Sequence, residues 1–214
     1  MTSGARELLK WLAVILMTGD HVAKVIYGGY LPGLSEAGRV AFPLFALVMA
    51  YNLAQPGADV VKSVRRLAMW GVIAQPVHAL AFGYWIPLNI LLTFALCAAA
   101  VYAAIERRWV VLAFAAAVLP AFVDYQWSGV GFVLLAWFGF RTGRPLPVLA
   151  GFVPLCLFNG NLWALVALPV VVALSGVRWQ LPRGRWAFYG YYVGHLAVLS
   201  AVVAFGGSFT ALLG

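Results

Sequence analysis

Apolar runs of helical length follow one another along the whole chain, separated by short polar or turn-forming stretches. Nine such segments are legible, roughly 8–29, 38–54, 67–84, 88–105, 109–123, 129–141, 146–158, 161–176 and 187–206. They lack the short two-residue alternation of a membrane barrel strand, so each is read as a helix. Several fall below the ~20 residues that an upright span needs. Pro120, Pro147, Pro154 and Pro169 soften the later boundaries. Residues 207–214 are read as an extension of the last helix. The longest polar stretches, around 28–38, 55–66 and 177–186, run to about ten residues and leave no room for a soluble domain.

Composition turns this helical pattern into a membrane class. Of 214 residues, 64% are hydrophobic and 9% charged, and mean hydropathy is +0.95. A soluble chain carries about 25% charged residues and could not cover itself with so few. The expectation is an all-α polytopic integral membrane protein of about nine transmembrane helices, with residues 1–214 as one domain. The net charge of +8 would point to nucleic acid in a soluble protein. Here it reads as topology signal and lipid-headgroup contact, with no nucleic-acid partner. Cys97 and Cys156 lie in apolar runs and read as packing residues. Arg6 and Lys10 before an apolar run mimic a leader, but no small-x-small cleavage site follows, so the segment is expected to be retained.

The basic residues assign a direction. With a cytoplasmic N-terminus, the inner side receives Arg6, Lys10, Lys62, Arg65, Arg66, Arg107, Arg108, Arg141, Arg144, Arg178, Arg183 and Arg185, twelve of the fourteen Lys and Arg. That bias supports the odd number of spans and an external C-terminus. A bacterial-type cytoplasmic (inner) membrane is the expected location. Lys24 and Arg39 are the exceptions, flanking the first external turn.

Asp20 and His21 adjoin them, inside the first apolar segment. An Asp at a helix centre costs about 2.5–3.5 kcal/mol on insertion scales, so an intramembrane ionisable pair is a functional-site hypothesis. At ~1.5 Å per residue, His21 lies about 16 Å from Lys10 along the axis, near or just past mid-membrane. Gln75, His78, Asn89, Thr93, Tyr192 and His195 fall at similar depth, with Asp124 in an external turn. Each has a plain structural reading. Asp20 and Lys24 make an i,i+4 pair. His21 or His195 can bridge helices, and Gly190-x-x-x-Gly194 permits close helix contact or a dimer. Gln75 and His78 can satisfy backbone freed by Pro76, and Asn89 can cap a helix. Asp124 reads as a solvated loop residue.

Metal binding finds no ligand spacing. Ser-His-Asp hydrolysis finds no nucleophile elbow, and a transporter's matched halves are absent. Acid–base chemistry fits better, because a carboxylate near an imidazole favours its charged form while burial opposes it. Adjacent residues on a helix point about 100° apart, so Asp20 can equally serve a neighbouring helix, through Arg39, and not His21.

Leu9-Lys10-Trp11-Leu12-Ala13, Leu16-Met17-Thr18-Gly19-Asp20-His21 and Gly38-Arg39-Val40-Ala41-Phe42-Pro43-Leu44-Phe45-Ala46 together resemble the TraX family, named for the F-pilin acetylase. The similarity continues at Arg66-Leu67, Gln75-Pro76, Pro87-Leu88-Asn89-Ile90-Leu91-Leu92-Thr93 and Tyr192-x-x-His195-Leu196, and is densest in residues 9–100. Lys10 and His21 also resemble the basic-x10-His pattern of the acyltransferase 3 membrane family. Before His195 this chain has Val193-Gly194 where the TraX family more often has a proline.

The resemblance implies an acyl-CoA-dependent acyltransferase, most simply an acetyltransferase. It implies His21 as the catalytic histidine, Asp20 as its electrostatic partner and Arg39 as a site residue. Lys24, Gln75, His78, Asn89, Thr93, Tyr192 and His195 are the candidates for the substrate or acyl pocket. Lys10, Arg65, Arg66, Arg107 and Arg108 are the candidates for the phosphates of acetyl-CoA or another acyl-CoA, the expected co-substrate, with no metal. The acceptor would be an amine or hydroxyl of a membrane-associated peptide N-terminus, a glycan or a lipid, and membrane lipid is the surrounding partner. Oligomeric state is left open. Two other classes compete: a proton-coupled carrier using an Asp-His-Arg relay, and a non-catalytic membrane assembly protein.

Overall fold

The computed structural model describes residues 1–179 and 184–212. Among these, helices run α1 (Ser3–Val25), α2 (Leu34–Ala54), α3 (Val60–Phe82), α4 (Ile90–Ile105), α5 (Trp109–Ala117), α6 (Gln126–Thr142), α7 (Pro145–Asn159), α8 (Ala167–Leu174) and α9 (Arg185–Leu212). Their order matches the nine apolar segments one for one. Arg183, counted with the inner basic residues, lies outside the described residues.

Local chemistry sets the ends. The Thr2 hydroxyl accepts from Ala5 N–H and starts α1, and Asp59 accepts from Lys62 N–H to start α3. Asn89 accepts from Leu91 N–H and starts α4. Such caps satisfy amide donors that the first helical turn leaves free. Gly83 closes α3 with φ of 78°, a left-handed conformation in which glycine has no Cβ to clash.

Lengths depart from the expectation. Among the described residues, two stretches, Leu34–Ala54 and Trp186–Phe205, are long and apolar enough to cross a membrane. Helix α5 has nine residues and α8 has eight, each flanked by a 3-10 turn, at Leu119–Phe122 and Trp163–Val166. Proline accounts for the break after α5, since Pro120 has no amide hydrogen to continue the ladder.

Helix α1 packs on α2, and touches α9, α8 and α3. Helix α2 also packs on α6 and α8, α3 pairs with α4 and α9, and α6 pairs with α7. Leu9, Leu44, Leu47, Phe132, Phe152, Leu155 and Leu196 form the fully buried centre. A polar tie closes α3 onto α4. The Asn89 amide donates to Gly71 C=O at 2.8 Å and to the Gln75 side chain at 2.7 Å. Gln75 donates in turn to Trp85 C=O at 2.9 Å. Just beyond, Leu88 N–H donates to Phe122 C=O and Asp124 N–H to Leu88 C=O, at 2.8 and 2.9 Å. The Thr93 hydroxyl donates to Asp124 C=O at 3.0 Å. These bonds fix the turn before α6 against the start of α4.

The glycines place the close approaches elsewhere than the sequence pattern did. Gly190 and Gly194 face open space, with no atom within 4 Å of where a Cβ would stand. Gly38 instead lies directly against Asp20, so α2 approaches α1 where only a hydrogen fits. Cys97 and Cys156 are free thiols, the first buried.

Candidate functional site

Asp20 and His21 occupy the last turn-and-a-half of α1 and point to different neighbours, as adjacent helical positions must. Asp20 is buried, and its Oδ2 pairs with the Lys24 ammonium at 2.7 Å, one turn on. Its Oδ1 is buried without a hydrogen-bond partner. His21 turns toward α9 instead. Its Nδ1 lies 2.7 Å from Nε2 of His195, 174 positions away in sequence. The two rings are nearly parallel, with centroids 5.0 Å apart. Phe82 stands edge-on to His21 at 5.2 Å and Tyr192 at 6.3 Å. The other His195 nitrogen, Nδ1, lies 2.9 Å from Tyr191 C=O.

His21, Phe82 and Tyr192 line a polar cleft of about 100 Å³ among α1, α2, α3 and α9, while His195 backs His21 without lining it. Asp20, His21, Lys24, Arg39, His78 and Asp124 all reach it. Besides Asp20 Oδ1, Arg39 Nε and His78 Nδ1 are buried without a hydrogen-bond partner. An unpaired buried polar group costs about 1–3 kcal/mol. Three of them at one cleft mark a place prepared for a polar ligand or for water. The histidines, the two acidic groups and the two cations give this cleft donors, acceptors and proton carriers.

Asp124 is the member that sequence reasoning missed. It reads as a loop residue, yet the pairing of Leu88 with Val123 carries it inward to the cleft. Burial pushes its carboxyl above the usual carboxylate range, with Lys24 and the Tyr125 N–H opposing. The extended 88–89 stretch that aims it carries no signature of long-range pairing in the sequence. Burial likewise raises the neighbouring Tyr125 hydroxyl.

Other candidates fall elsewhere. Gln75 and Asn89 are buried, and their amides are taken up by the tie between α3 and α4. Thr93 is fully buried and holds the Asp124 backbone. None of these three lines the cleft, although Thr93 fixes a residue that does. Tyr192 lines it and is buried.

An apolar chamber of about 190 Å³ adjoins the cleft. Met17, Phe45, Ile90 and Tyr192 line both. Lys10, Asn52 and Arg66 sit in the chamber wall, with Lys10 over the Phe188 ring at 4.4 Å and Arg66 over the Tyr189 ring at 5.7 Å. Arg66 also lines a third, open cavity of about 710 Å³ with Lys62, Arg65 and Trp186. Lys10, Arg65 and Arg66 are thus brought to consecutive cavities. Arg107 and Arg108, in the α4–α5 turn, line none of the three, and Arg108 lies over the Tyr102 ring at 5.7 Å.

Comparison with known proteins places this architecture. A protein named Protein TraX from Escherichia coli is 40% identical over 95 residues, covering 44% of this chain and 38% of that protein. Its namesake from Escherichia coli (strain K12) is 36% identical over 95 residues, with the same coverage. An uncharacterized protein of Rickettsia prowazekii (strain Madrid E) is 34% identical over 88 residues, covering 41% of this chain and 33% of that one. The matched stretch spans 33–38% of the length of these relatives. No solved structure matches the chain. The TraX protein family matches residues 5–203, nearly the whole length, and the chain belongs to that family.

Proposed function

We propose that the protein is an integral membrane acyltransferase. It moves an acyl group, most simply acetyl, from cytoplasmic acyl-CoA to an amine or hydroxyl acceptor in or across the bacterial inner membrane. The observation that carries this reading is the succession of cavities: a basic mouth, an apolar chamber and a polar cleft that ends at His21. A nucleotide thioester has the same succession of chemistry. Its phosphates suit Lys62, Arg65 and Arg66, since guanidinium groups recognise phosphate oxygens through paired N–H donors. Trp186 offers a face for the base. The arm would cross the chamber beside Tyr192, and the thioester would lie at the cleft, about 16 Å from Lys10 along α1.

The reaction needs one mobile proton. The acceptor nitrogen or oxygen attacks the thioester carbonyl and passes its proton to a His21 ring nitrogen. The tetrahedral intermediate collapses, the carbon–sulfur bond breaks, and the departing thiolate takes that proton to leave as the thiol. Arg39 and Lys24 supply positive charge near the oxyanion, and stabilisation of developing charge is commonly the largest catalytic contribution. Asp20 holds Lys24 in place.

Membrane placement is supported by the outer surface. Val110, Leu157, Leu80 and Leu146 are exposed by 85%, 78%, 76% and 73%. Exposed large apolar side chains occur on every helix except α4 among the described residues, and large exposed apolar surface marks a membrane or partner contact. The positive-inside bias orients the N-terminus to the cytoplasm and the C-terminus outward. Short helices such as α5 and α8 keep their backbone bonds within the helix and present apolar faces that are mostly exposed or half-buried, with Ala115 and Ala167 buried.

Incubation of the purified protein with radiolabelled acetyl-CoA tests the reading, with CoA release and label transfer to protein or added lipid as readouts. Wild type is expected to turn over. His21→Ala is expected to lose turnover and keep acetyl-CoA binding. Full turnover by His21→Ala would sink the assignment of the base, and the absence of both binding and turnover in folded wild type would sink the acyltransferase reading.

A further inference from the structure

The hydrogen bond that links His21 on α1 to His195 on α9 runs in one direction only. Tyr191 C=O can accept but not donate, so the His195 Nδ1 that lies 2.9 Å from it carries a hydrogen. A neutral imidazole has one N–H and one lone pair. His195 Nε2 therefore presents a lone pair, and among the described residues its hydrogen-bond partner is Nδ1 of His21, at 2.7 Å. That nitrogen must then donate. The lone pair of neutral His21 is left on Nε2, which has no hydrogen-bond partner among the described residues. The backbone of α9 thus decides which nitrogen of a ring on α1 is free to act as the base.

We infer that His195 is a positioning residue: it holds His21 in the Nδ1–H tautomer and leaves Nε2 as the nitrogen that takes the acceptor proton. The inference rests on the proposed acyltransferase reading and on His21 as its base. It gives a physical role to a second intramembrane histidine that would otherwise be a costly way to join two helices. When Nε2 takes a proton, His21 becomes an imidazolium whose Nδ1–H still donates to His195. That bond becomes charge-assisted, the stronger kind, so the pair stabilises the charge as it forms. A buried carboxylate does the same for the histidine of a hydrolase triad, where the wrong tautomer costs about 10⁴ in rate. Here a neutral imidazole with a fixed tautomer takes that place, and no further buried charge is needed.

The surrounding contacts hold the register. Tyr191 stacks on the His195 ring with centroids 5.1 Å apart and an 11° angle. Its hydroxyl lies 2.8 Å from the Thr18 hydroxyl on α1, one turn before His21. Tyr192, buried on the adjacent face, closes the other side of His195 at 5.6 Å. Asp20, the nearest carboxylate in sequence, is committed to Lys24. Its adjacency to His21 therefore does not make it the orienting group.

Nitrogen NMR on protein carrying ¹⁵N-histidine, in detergent micelles, reads the tautomers directly. Only three histidines contribute, and His78→Gln removes one for assignment. His21 is expected to show a protonated Nδ1 and an unprotonated Nε2 at neutral pH. The reverse pattern in wild type would overturn the inference whatever the activity.

Kinetics supply the second arm, with CoA release from acetyl-CoA as the signal. His195→Leu is expected to slow turnover by about a hundredfold, within the range that a general base contributes, with KM for acetyl-CoA unchanged. His195→Gln places an amide oxygen near the Nε2 position and is expected to recover turnover to within about tenfold of wild type. A purely structural clasp would lower thermal stability in both variants and leave the His21 tautomer and the turnover of the surviving folded protein unchanged. If His21→Ala is inactive while His195→Leu turns over like wild type, the positioning role falls and the acyltransferase reading stands. If His21→Ala turns over normally, the underlying reading falls.

Discussion

Replacing Gly38 by alanine tests the packing that creates the cleft, with stability as a readout that stands apart from turnover. A Cβ at this position would run into Asp20 Cβ and stand 2.7 Å from Asp20 Cγ and 3.0 Å from Oδ1. Carbon atoms in ordinary contact are about 3.5 Å apart, so most of an ångström must be found. The obstacle is the root of a short side chain on a helix, with no flexible end that could swing aside. α1 and α2 must therefore separate locally, which also shifts Asp20 and its pairing with Lys24. Overpacking of this kind costs about 1–3 kcal/mol, and a displacement near 1 Å in a positioned catalytic group can cost about a hundredfold in rate. Gly190→Ala and Gly194→Ala are matched controls. A new methyl there meets nothing within 4 Å, and alanine is favoured over glycine inside a helix by about 0.8–1 kcal/mol. Thermal unfolding in one detergent, with CoA release measured in parallel, compares the three. Gly38→Ala is expected to unfold at lower temperature and to lose turnover, while the other two match or exceed wild type in stability. A Gly38→Ala protein as stable and active as wild type would refute the claimed contact.

Three further outcomes follow from the same contacts. Asn89→Ala removes the amide that joins Gly71, Gln75 and Leu91, and leaves buried partners unpaired at about 1–3 kcal/mol each. A large fall in unfolding temperature is expected, and an unchanged melt would contradict the tie. Arg66→Ala is expected to raise KM for acetyl-CoA by about ten- to a hundredfold, the loss of one charged hydrogen bond, with kcat nearly constant. Arg107→Ala is expected to leave KM alone, and equal effects would mean that the basic mouth is misplaced. Asp124 has its carboxyl pKa raised by burial. Its contribution to stability is therefore largest below the unfolded value of about 3.9 and is lost as pH rises through the folded value. Asp124→Asn should gain in unfolding temperature relative to wild type across that rise, whereas parallel pH curves would contradict the raised value.

The sequence by itself determined the helical class, the order of the nine helices among the described residues and the polar end of the bundle. The reason is that apolar run length, caps and proline act locally, and hydrophobic burial and helix capping need no knowledge of the fold. Depth along α1 could be counted from Lys10, so Asp20, His21, Lys24 and Arg39 were legible as neighbours. What faces what was not. Gly190-x-x-x-Gly194 carries the pattern of a close helix contact, and the structure leaves it open while Gly38 takes the contact. Asn89 and Gln75 look like site residues from depth alone, but their amides meet each other. Asp124 reads as solvated until the Leu88–Val123 pairing turns it inward. His21 and Asp20 adjoin in sequence yet act on different helices, and the partner of His21 lies 174 positions away. Rotation about each helix axis and the approach of distant helices depend on packing summed over the whole bundle, which no local window contains. The tertiary structure alone therefore decided which imidazole meets which, and how the three cavities follow one another.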